Sequence, residues 1–174
     1  GGTGDFFGPE FDKHRLELRT HADYVKLYGA RALELEPGSQ WSYSNYGFLL
    51  LGAILEKVTR KTYYDAVQAS VYKPAGMKST SSPDEDTPMR GRSIGYMRES
   101  KKSPWQSNRD TLPFRGTAAG GGDSTVLDLL RFAQALKGHK LLDAAHTAML
   151  TSPKKDTPTD LPYGYGFSFA ERGG

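Results

Sequence analysis

The chain has no cysteine, which excludes disulfides, thiol nucleophiles and cysteine-ligated metals. It has no apolar run near the roughly 20 residues that a membrane-spanning helix needs. It has little excess of either charge: 23 Lys and Arg stand against 20 Asp and Glu, a formal +3. The basic residues are scattered, with no stripe interleaved with aromatics, so a nucleic-acid surface is not indicated. Hydrophobic residues make up only 37% and mean hydropathy is −0.60. Yet ten Tyr, eight Phe and two Trp are too many for a disordered chain. A length of 174 residues suffices for the core of one domain.

The pattern is mostly helical. Residues 1–19 read as loop behind Gly1-Gly2-Thr3-Gly4. Thr20 caps an expected helix over about 21–29, with Tyr24, Val25, Leu27 and Tyr28 on its apolar side. After the Pro37-Gly38 turn signal, Asn45 stands at a capping position. From Tyr46 to about Arg60, Phe48, Leu51, Leu55 and Val58 recur at helical spacing. Leu50 and Ile54 widen that stripe, which predicts deep burial. Thr62 with Asp65 resembles a capping box and opens a helix to about Tyr72, where Pro74 is expected to stop it. Residues 74–90 read as loop. Short strands are expected over 93–98 and 112–114. Ser124 is the expected cap of a helix with Val126, Leu129, Leu130, Ala133 and Leu136 on one face, and Gly138 ends it. A shorter helix follows over 142–150, then a loop over 153–162. Residues 163–169 alternate like the start of a strand. A strand beginning so late has no downstream partner in the sequence, so the chain is expected to be cut from a larger unit.

The chemistry gathers at Tyr43-Ser44-Asn45, just ahead of the long apolar helix. This spacing puts a phenol oxygen and an amide side by side at a helix entrance. A phenol of pKa about 10 is a poor base at neutral pH. Adjacent cations favour phenolate, which can then take a proton from a nearby nucleophile. The amide can donate to a substrate carbonyl and brace a lysine. Half of an acyl-transfer site has this form, and so does a core-edge tyrosine beside a capping asparagine.

Other strings carry less. Ser70-Val71-Tyr72-Lys73 and Ser152-Pro153-Lys154-Lys155 are literal S-x-x-K sequences. The first is expected at a helix end and the second in a loop, whereas a nucleophilic serine favours a helix N-terminus. Gly91-Arg92-Ser93-Ile94-Gly95 spells G-x-S-x-G, but polar and breaker-rich residues follow where a nucleophile elbow needs a helix. His14, His21, His139 and His146 lack metal-ligand spacing and suit surface or capping roles. Gly120-Gly121-Gly122 has no Lys-Ser or Lys-Thr after it and reads as a tight loop near a cleft. Trp41, Tyr46 and Phe48 read as packing residues. Arg90, Arg92, Arg98, Lys101 and Lys102 read as solvated surface. Trp105 and Phe114 are candidates for a pocket wall.

Five segments carry a resemblance when taken in order. They are Pro37-Gly38 through Tyr43-Ser44-Asn45-Tyr46-Gly47, Leu51-Gly52 with Ile54-Leu55-Glu56, and Lys73-Pro74-Ala75-Gly76-Met77-Lys78-Ser79-Thr80. Ala119-Gly120-Gly121-Gly122 with Ser124-Thr125 and Asp128-Leu129 comes next, then Tyr163-Gly164-Tyr165-Gly166. The set resembles the serine β-lactamase and penicillin-recognising superfamily, in its class C-like, D-alanyl-D-alanine carboxypeptidase and esterase branch. The resemblance implies an α/β (α+β) β-lactamase/transpeptidase-like fold. Residues 1–174 would be one partial domain, with a helical lobe over about 20–162 and the start of the C-terminal sheet over about 163–174. It implies hydrolysis through an acyl-serine intermediate, with Tyr43 as proton relay and Asn45 as the contact to substrate and lysine. Ser44, the variable middle residue, receives no role. The serine-lysine motif is expected upstream of Tyr43 and a basic third motif soon after Gly174, so these residues alone should be inactive. No metal or organic cofactor is implied. The implied partner is a small-molecule or peptide acyl substrate: a β-lactam, a D-amino-acid peptide or an ester. Members are often periplasmic or secreted. The alternatives are a non-catalytic relative that uses the fold for binding, and an unrelated partner-binding helical domain.

Overall fold

The computed structural model describes residues 2–154 and 162–170. Local capping explains most of its elements. Helix α1 (Pro9–His14) lies where the sequence reads as loop. Pro9 opens it, Glu10 and Asp12 sit in its first turn, and Lys13 and His14 close it, which suits the helix dipole at both ends. Helix α2 (His21–Tyr28) begins with the reciprocal Thr20–Asp23 capping box. Helix α3 (Asn45–Thr59) is capped by Ser44, not Asn45, through the Gly47 N–H. Helix α4 (Tyr63–Val67) is capped by Thr62. It runs on through a π-helical turn (Gln68–Tyr72) into the short α5 (Lys73–Ala75). Pro74 therefore does not stop the helix. The turn before it is widened, with Lys73 N–H reaching back to the Gln68 carbonyl, and this widening relieves the ring clash that a proline imposes on a regular helix. Gly76 is the true end.

Strands β1 (Tyr96–Met97) and β2 (Gln106–Ser107) form an antiparallel pair. The second expected strand, over 112–114, is displaced to β2. Phe114 instead takes part in a loop contact, its carbonyl accepting the Glu85 N–H at 2.8 Å. Helix α6 (Val126–Lys137) is capped by Thr125, one residue after the expected Ser124, and Gly138 ends it. Helix α7 (Ala144–Leu150) is capped by Asp143. Residues 163–169 do not run on as a strand: a single antiparallel bridge joins Tyr163 to Ser168 across a tight turn. Gly166 sits at φ +87° in that turn, a left-handed conformation that favours glycine and breaks an extended run. Most of the loop expected over 153–162, Lys155 of the second S-x-x-K string, and residues 171–174 lie outside the described residues.

The larger core joins the N-terminal loop, α1, α2 and α3 through Phe6, Phe11, Leu18, Tyr24, Tyr28, Tyr46 and Leu49. Phe6 meets Tyr24 edge-on at 5.0 Å and Tyr28 meets Tyr46 edge-on at 5.8 Å, a geometry that aromatic quadrupoles favour. The smaller core holds Ala75, Met77 and Ala135. The α3 stripe expected to be buried is largely outside, and so is much of the apolar face of α6. Leu51, Ile54 and Val58 on α3 and Val126, Leu129 and Leu130 on α6 are exposed. On α3 the buried residues are Tyr46, Leu49 and Gly52, spaced by three, because α2 crosses that side.

Asp128 is the polar counterpart of these cores and has no solvent exposure. It accepts from the Ser79 N–H (2.6 Å), the Thr80 hydroxyl (2.8 Å) and Arg131 (2.6 Å). Burial opposes its ionisation, but these donors outweigh burial and hold its carboxyl below the ordinary range. It thus ties the loop after α5 to α6.

Two outcomes follow from these contacts. Replacing Ser44 by Ala removes a helix cap and should cost about 1–2 kcal/mol in urea unfolding, with the m-value unchanged. A carboxyl with a depressed folded pKa stabilises above its unfolded value of about 3.9 and loses that contribution as pH falls through the folded value. Asp128→Asn should therefore lower Tm by on the order of 5 °C at neutral pH and flatten the loss of stability below about pH 4.

Candidate active site

Tyr43-Ser44-Asn45 is organised from its middle residue. The Ser44 hydroxyl is buried, donates to the Gly4 carbonyl at 2.5 Å and accepts the Gly47 N–H at 2.9 Å. The helix cap is thereby stitched to the N-terminal loop. The backbone is extended at Ser44 and turns helical at Asn45, so Tyr43 and Asn45 leave the chain in different local conformations. Tyr43, just over half exposed, leans over a cleft, while Asn45 turns to Asp5. The Asn45 side-chain N–H donates to Asp5 Oδ2 at 2.8 Å, and its backbone N–H reaches the same oxygen at 3.3 Å. The other Asp5 oxygen accepts the Phe6 N–H at 2.6 Å. Asn45 is therefore braced through one N–H of its amide, which leaves the second N–H to donate and the carbonyl oxygen to accept from other partners.

The cleft beside Tyr43 has a volume of about 310 Å³. Phe48, Tyr63, Tyr72 and Tyr163 give it aromatic walls, and Ser82 with residues 117–120 closes one side. Gly120 and Gly122 line it, as the tight-loop reading expects. Trp41 extends it on the other side of Tyr43 and meets Tyr163 edge-on at 6.1 Å. Burial, and then the neighbouring Tyr43 phenol, push the Tyr163 hydroxyl up. Burial pushes Tyr63 up to about 12. Burial also raises Tyr72, against a hydrogen bond from Ser82 that lowers it. These phenols are neutral at physiological pH.

The wall is pinned on both sides. Ser81 and Asp123 exchange backbone hydrogen bonds at 3.0 and 2.8 Å. Arg115 donates to the Ser82 carbonyl at 2.5 Å and lies over the Tyr64 ring. Arg92 pairs with Asp123 at 3.1 Å, so it is a structural cation and not free surface.

The competing serines are elsewhere. Ser70 is exposed within the π-helical turn. Ser93 is exposed and leads into β1, not into a helix. The Ser152 hydroxyl donates to the Ala148 carbonyl at 2.5 Å, at the end of α7. None of the three lines the cleft. Trp105 lies exposed beneath Arg98, and Phe114 is buried beneath Arg19, so neither forms its wall. Tyr46 packs in the core as expected, whereas Trp41 and Phe48 face the cleft. His14 pairs with Glu10 and Glu17, and His146 with the α7 cap Asp143. His21 departs from its expected surface or capping role: it is 1% exposed. Among the described residues, no group of three His, Asp or Glu side chains is placed to hold a metal ion, and no helix is long and apolar enough to cross a membrane.

Sequence reasoning missed Asp5, Ser82, Tyr63 and Tyr72 as parts of this site. Asp5 sits in a Gly-rich segment without periodicity. Ser82 lies in a polar loop, with nothing local to link it to Tyr43.

The chain matches the Beta-lactamase family over residues 2–174. It is 26% identical to penicillin-binding protein 4* of Bacillus subtilis over 189 aligned positions, covering 95% of this chain and 40% of that protein. Its fold superposes on the crystal structure of a penicillin-binding protein from Bacillus halodurans with a TM-score of 0.87 at 29% identity, covering 99% of this chain and 56% of that one. It also superposes on a D-amino acid amidase from Ochrobactrum anthropi complexed with L-phenylalanine amide, with a TM-score of 0.71 at 27% identity, covering 86% of this chain and 45% of that one. The chain thus spans roughly half, or less, of the length of these relatives. A chance match by an unrelated helical domain is overturned by this agreement. With its β-lactamase/transpeptidase-like fold, mostly helical here with a small two-stranded sheet, the chain belongs to the Beta-lactamase family.

Proposed function

We propose that this chain supplies the tyrosine and asparagine of an acyl-serine hydrolase site. Tyr43 is the proton relay and Asn45 the group that orients the substrate carbonyl and a lysine. The serine and lysine of that site are taken from outside these residues. The observation that carries the reading is the anchoring of Ser44, which presents Tyr43 to the cleft while Asp5 braces Asn45.

In the reaction, a Tyr43 phenolate takes the proton of the serine hydroxyl as the serine oxygen bonds to the acyl carbon. The tetrahedral oxyanion collapses, and the amine or alcohol leaves with the proton from Tyr43. Water then gives its proton to Tyr43 as it attacks the acyl-serine. The acid departs, and the serine oxygen recovers its proton.

The aromatic walls favour acyl groups with an apolar or aromatic side chain, since such a ring buries area against Phe48, Tyr63 and Tyr72. The relatives named above are two penicillin-binding proteins and an amidase seen with an amino-acid amide. Among a β-lactam, an amide of an aromatic D-amino acid and a simple ester, the amide is therefore the substrate class we put first.

The test is turnover of D-phenylalanine p-nitroanilide, a chromogenic cephalosporin and a p-nitrophenyl ester by the protein at its natural length. The anilide should be the preferred substrate. Tyr43→Phe should lower its kcat/KM by about 10²–10⁴-fold, with the fold unchanged by circular dichroism. A Tyr43→Phe enzyme within about threefold of wild type would remove Tyr43 from the chemistry. No turnover of any of the three would favour a binding protein on the same fold.

A further inference from the structure

The cleft wall over residues 117–122 is held from behind by a buried histidine that the reaction does not use. His21 stands at the first position of α2, and its Nε2 accepts the Ala118 N–H at 3.2 Å. That contact fixes the tautomer: the Nε2 lone pair must be free, so the proton is on Nδ1. Nδ1 faces Glu56 Oε1 at 3.3 Å, in ion-pair reach but off line for a hydrogen bond. The same Glu56 oxygen accepts the Tyr63 N–H at 2.8 Å. One charged side chain on α3 thus touches both the histidine and the start of α4.

Gly52 makes this meeting possible. A methyl group there would lie 2.6 Å from the Ala118 Cβ and 2.7 Å from His21 Nε2, inside contact distance for both. Only a bare backbone lets α3 lie against the point where the histidine and the wall meet. Tyr63 meets the imidazole edge-on at 5.0 Å, with Tyr64 at 6.4 Å. The groups facing His21 are therefore Glu56 from α3, Tyr63 and Tyr64 from α4, and the Ala118 amide from the wall. Asp23 on its own helix is engaged by the Thr20 cap. The wall adds no charge before Asp123, which pairs with Arg92.

The Ala118 amide lies in the stretch that lines the cleft with Tyr43. The wall has its own closure beside it, where Thr117 and Gly120 exchange backbone hydrogen bonds at 2.8 and 3.0 Å. Ala119 packs against the larger core, and the histidine adds a side-chain hydrogen bond from the helical body to the Ala118 amide. We propose that His21 is a positioning residue for substrate: its neutral Nε2 holds the Ala118 amide, and with it the wall facing Tyr43. The proposal rests on reading the cleft as the acyl-substrate site.

Protonation would reverse the contact. An imidazolium carries N–H on both nitrogens, so donor would face donor at Ala118. Burial works against that state and lowers the His21 pKa, although Glu56 pulls it back. The sign follows from the depressed pKa. The unfolded chain takes up the proton first, so stability is full above the ordinary value of about 6.5 and declines as pH falls from there through the folded value.

Two measurements on the protein at its natural length test this. The first is amide hydrogen exchange at Ala118 and Ala119 in wild type, His21→Phe and His21→Gln. Glutamine offers a non-titrating acceptor in place of Nε2. Phe should lose protection there by about tenfold or more, whereas Gln should stay near wild type. The second is the pH dependence of KM and kcat for D-phenylalanine p-nitroanilide. In wild type KM should rise at acid pH with kcat following its own profile. Phe should raise KM by about tenfold at every pH, and Gln should remove the acid rise. Equal Ala118 protection in all three proteins would overturn the proposal, as would a Gln variant that keeps the wild-type acid rise in KM. If Phe does not fold, the Gln comparison decides alone. A wild type without turnover counts against the hydrolase reading only, and the exchange result then decides the role of His21.

Discussion

The burial of one hydroxyl organises this site. Ser44 is an unremarkable residue by type, yet its oxygen satisfies a helix N-terminus on one side and a loop carbonyl on the other. A buried donor and acceptor pair of this kind is expensive to leave unmade, so the chain is held at one register where the extended segment becomes α3. Once that register is set, the residues on either side are no longer interchangeable. The phenol faces a cleft and the amide faces a carboxylate. The family resemblance treats Ser44 as the variable middle of a motif. In this chain it is the residue that gives the motif its geometry.

A hydroxyl cap also connects α2 to the cleft. The Thr20 capping box sets where α2 starts, and the first residue of that helix is His21. Gly52 on α3 leaves the space into which the imidazole and Ala118 converge. Two helix N-termini thus bear on the cleft: that of α3 follows Tyr43 in its lining, and that of α2 supports residue 118 from behind. Each is fixed by a hydroxyl cap.

Much of this was legible in the sequence and some was not, for physical reasons. Caps made by Thr20 and Thr62 are local and read correctly. Ser44 and Thr125 were each missed by one residue, because two adjacent polar side chains could both cap and only the packing chooses between them. Pro74 misled because proline stops a regular helix, whereas a π-helical turn accepts it. The stripes on α3 and α6 have helical spacing but remain exposed, with Val126 at 82% and Val58 at 76%. Periodicity reports that a face is apolar and not what covers it, and the chain spans about half or less of the relatives compared above. Tyr43 and Asn45 stood out because an ordered set of matches surrounded them. Asp5 and His21 act through contacts 40 and 97 residues away in sequence, which no local pattern records.

The most direct test of the account is the location of the acyl group during turnover. The protein at its natural length would be quenched with acid while hydrolysing D-phenylalanine p-nitroanilide, digested, and mapped by mass spectrometry. The account predicts one phenylalanyl ester, on a serine other than Ser70, Ser93 and Ser152, formed more slowly when Tyr43 is Phe. An acyl group on any of those three serines would contradict it, as would acyl-serine formation at the same rate with Phe at position 43.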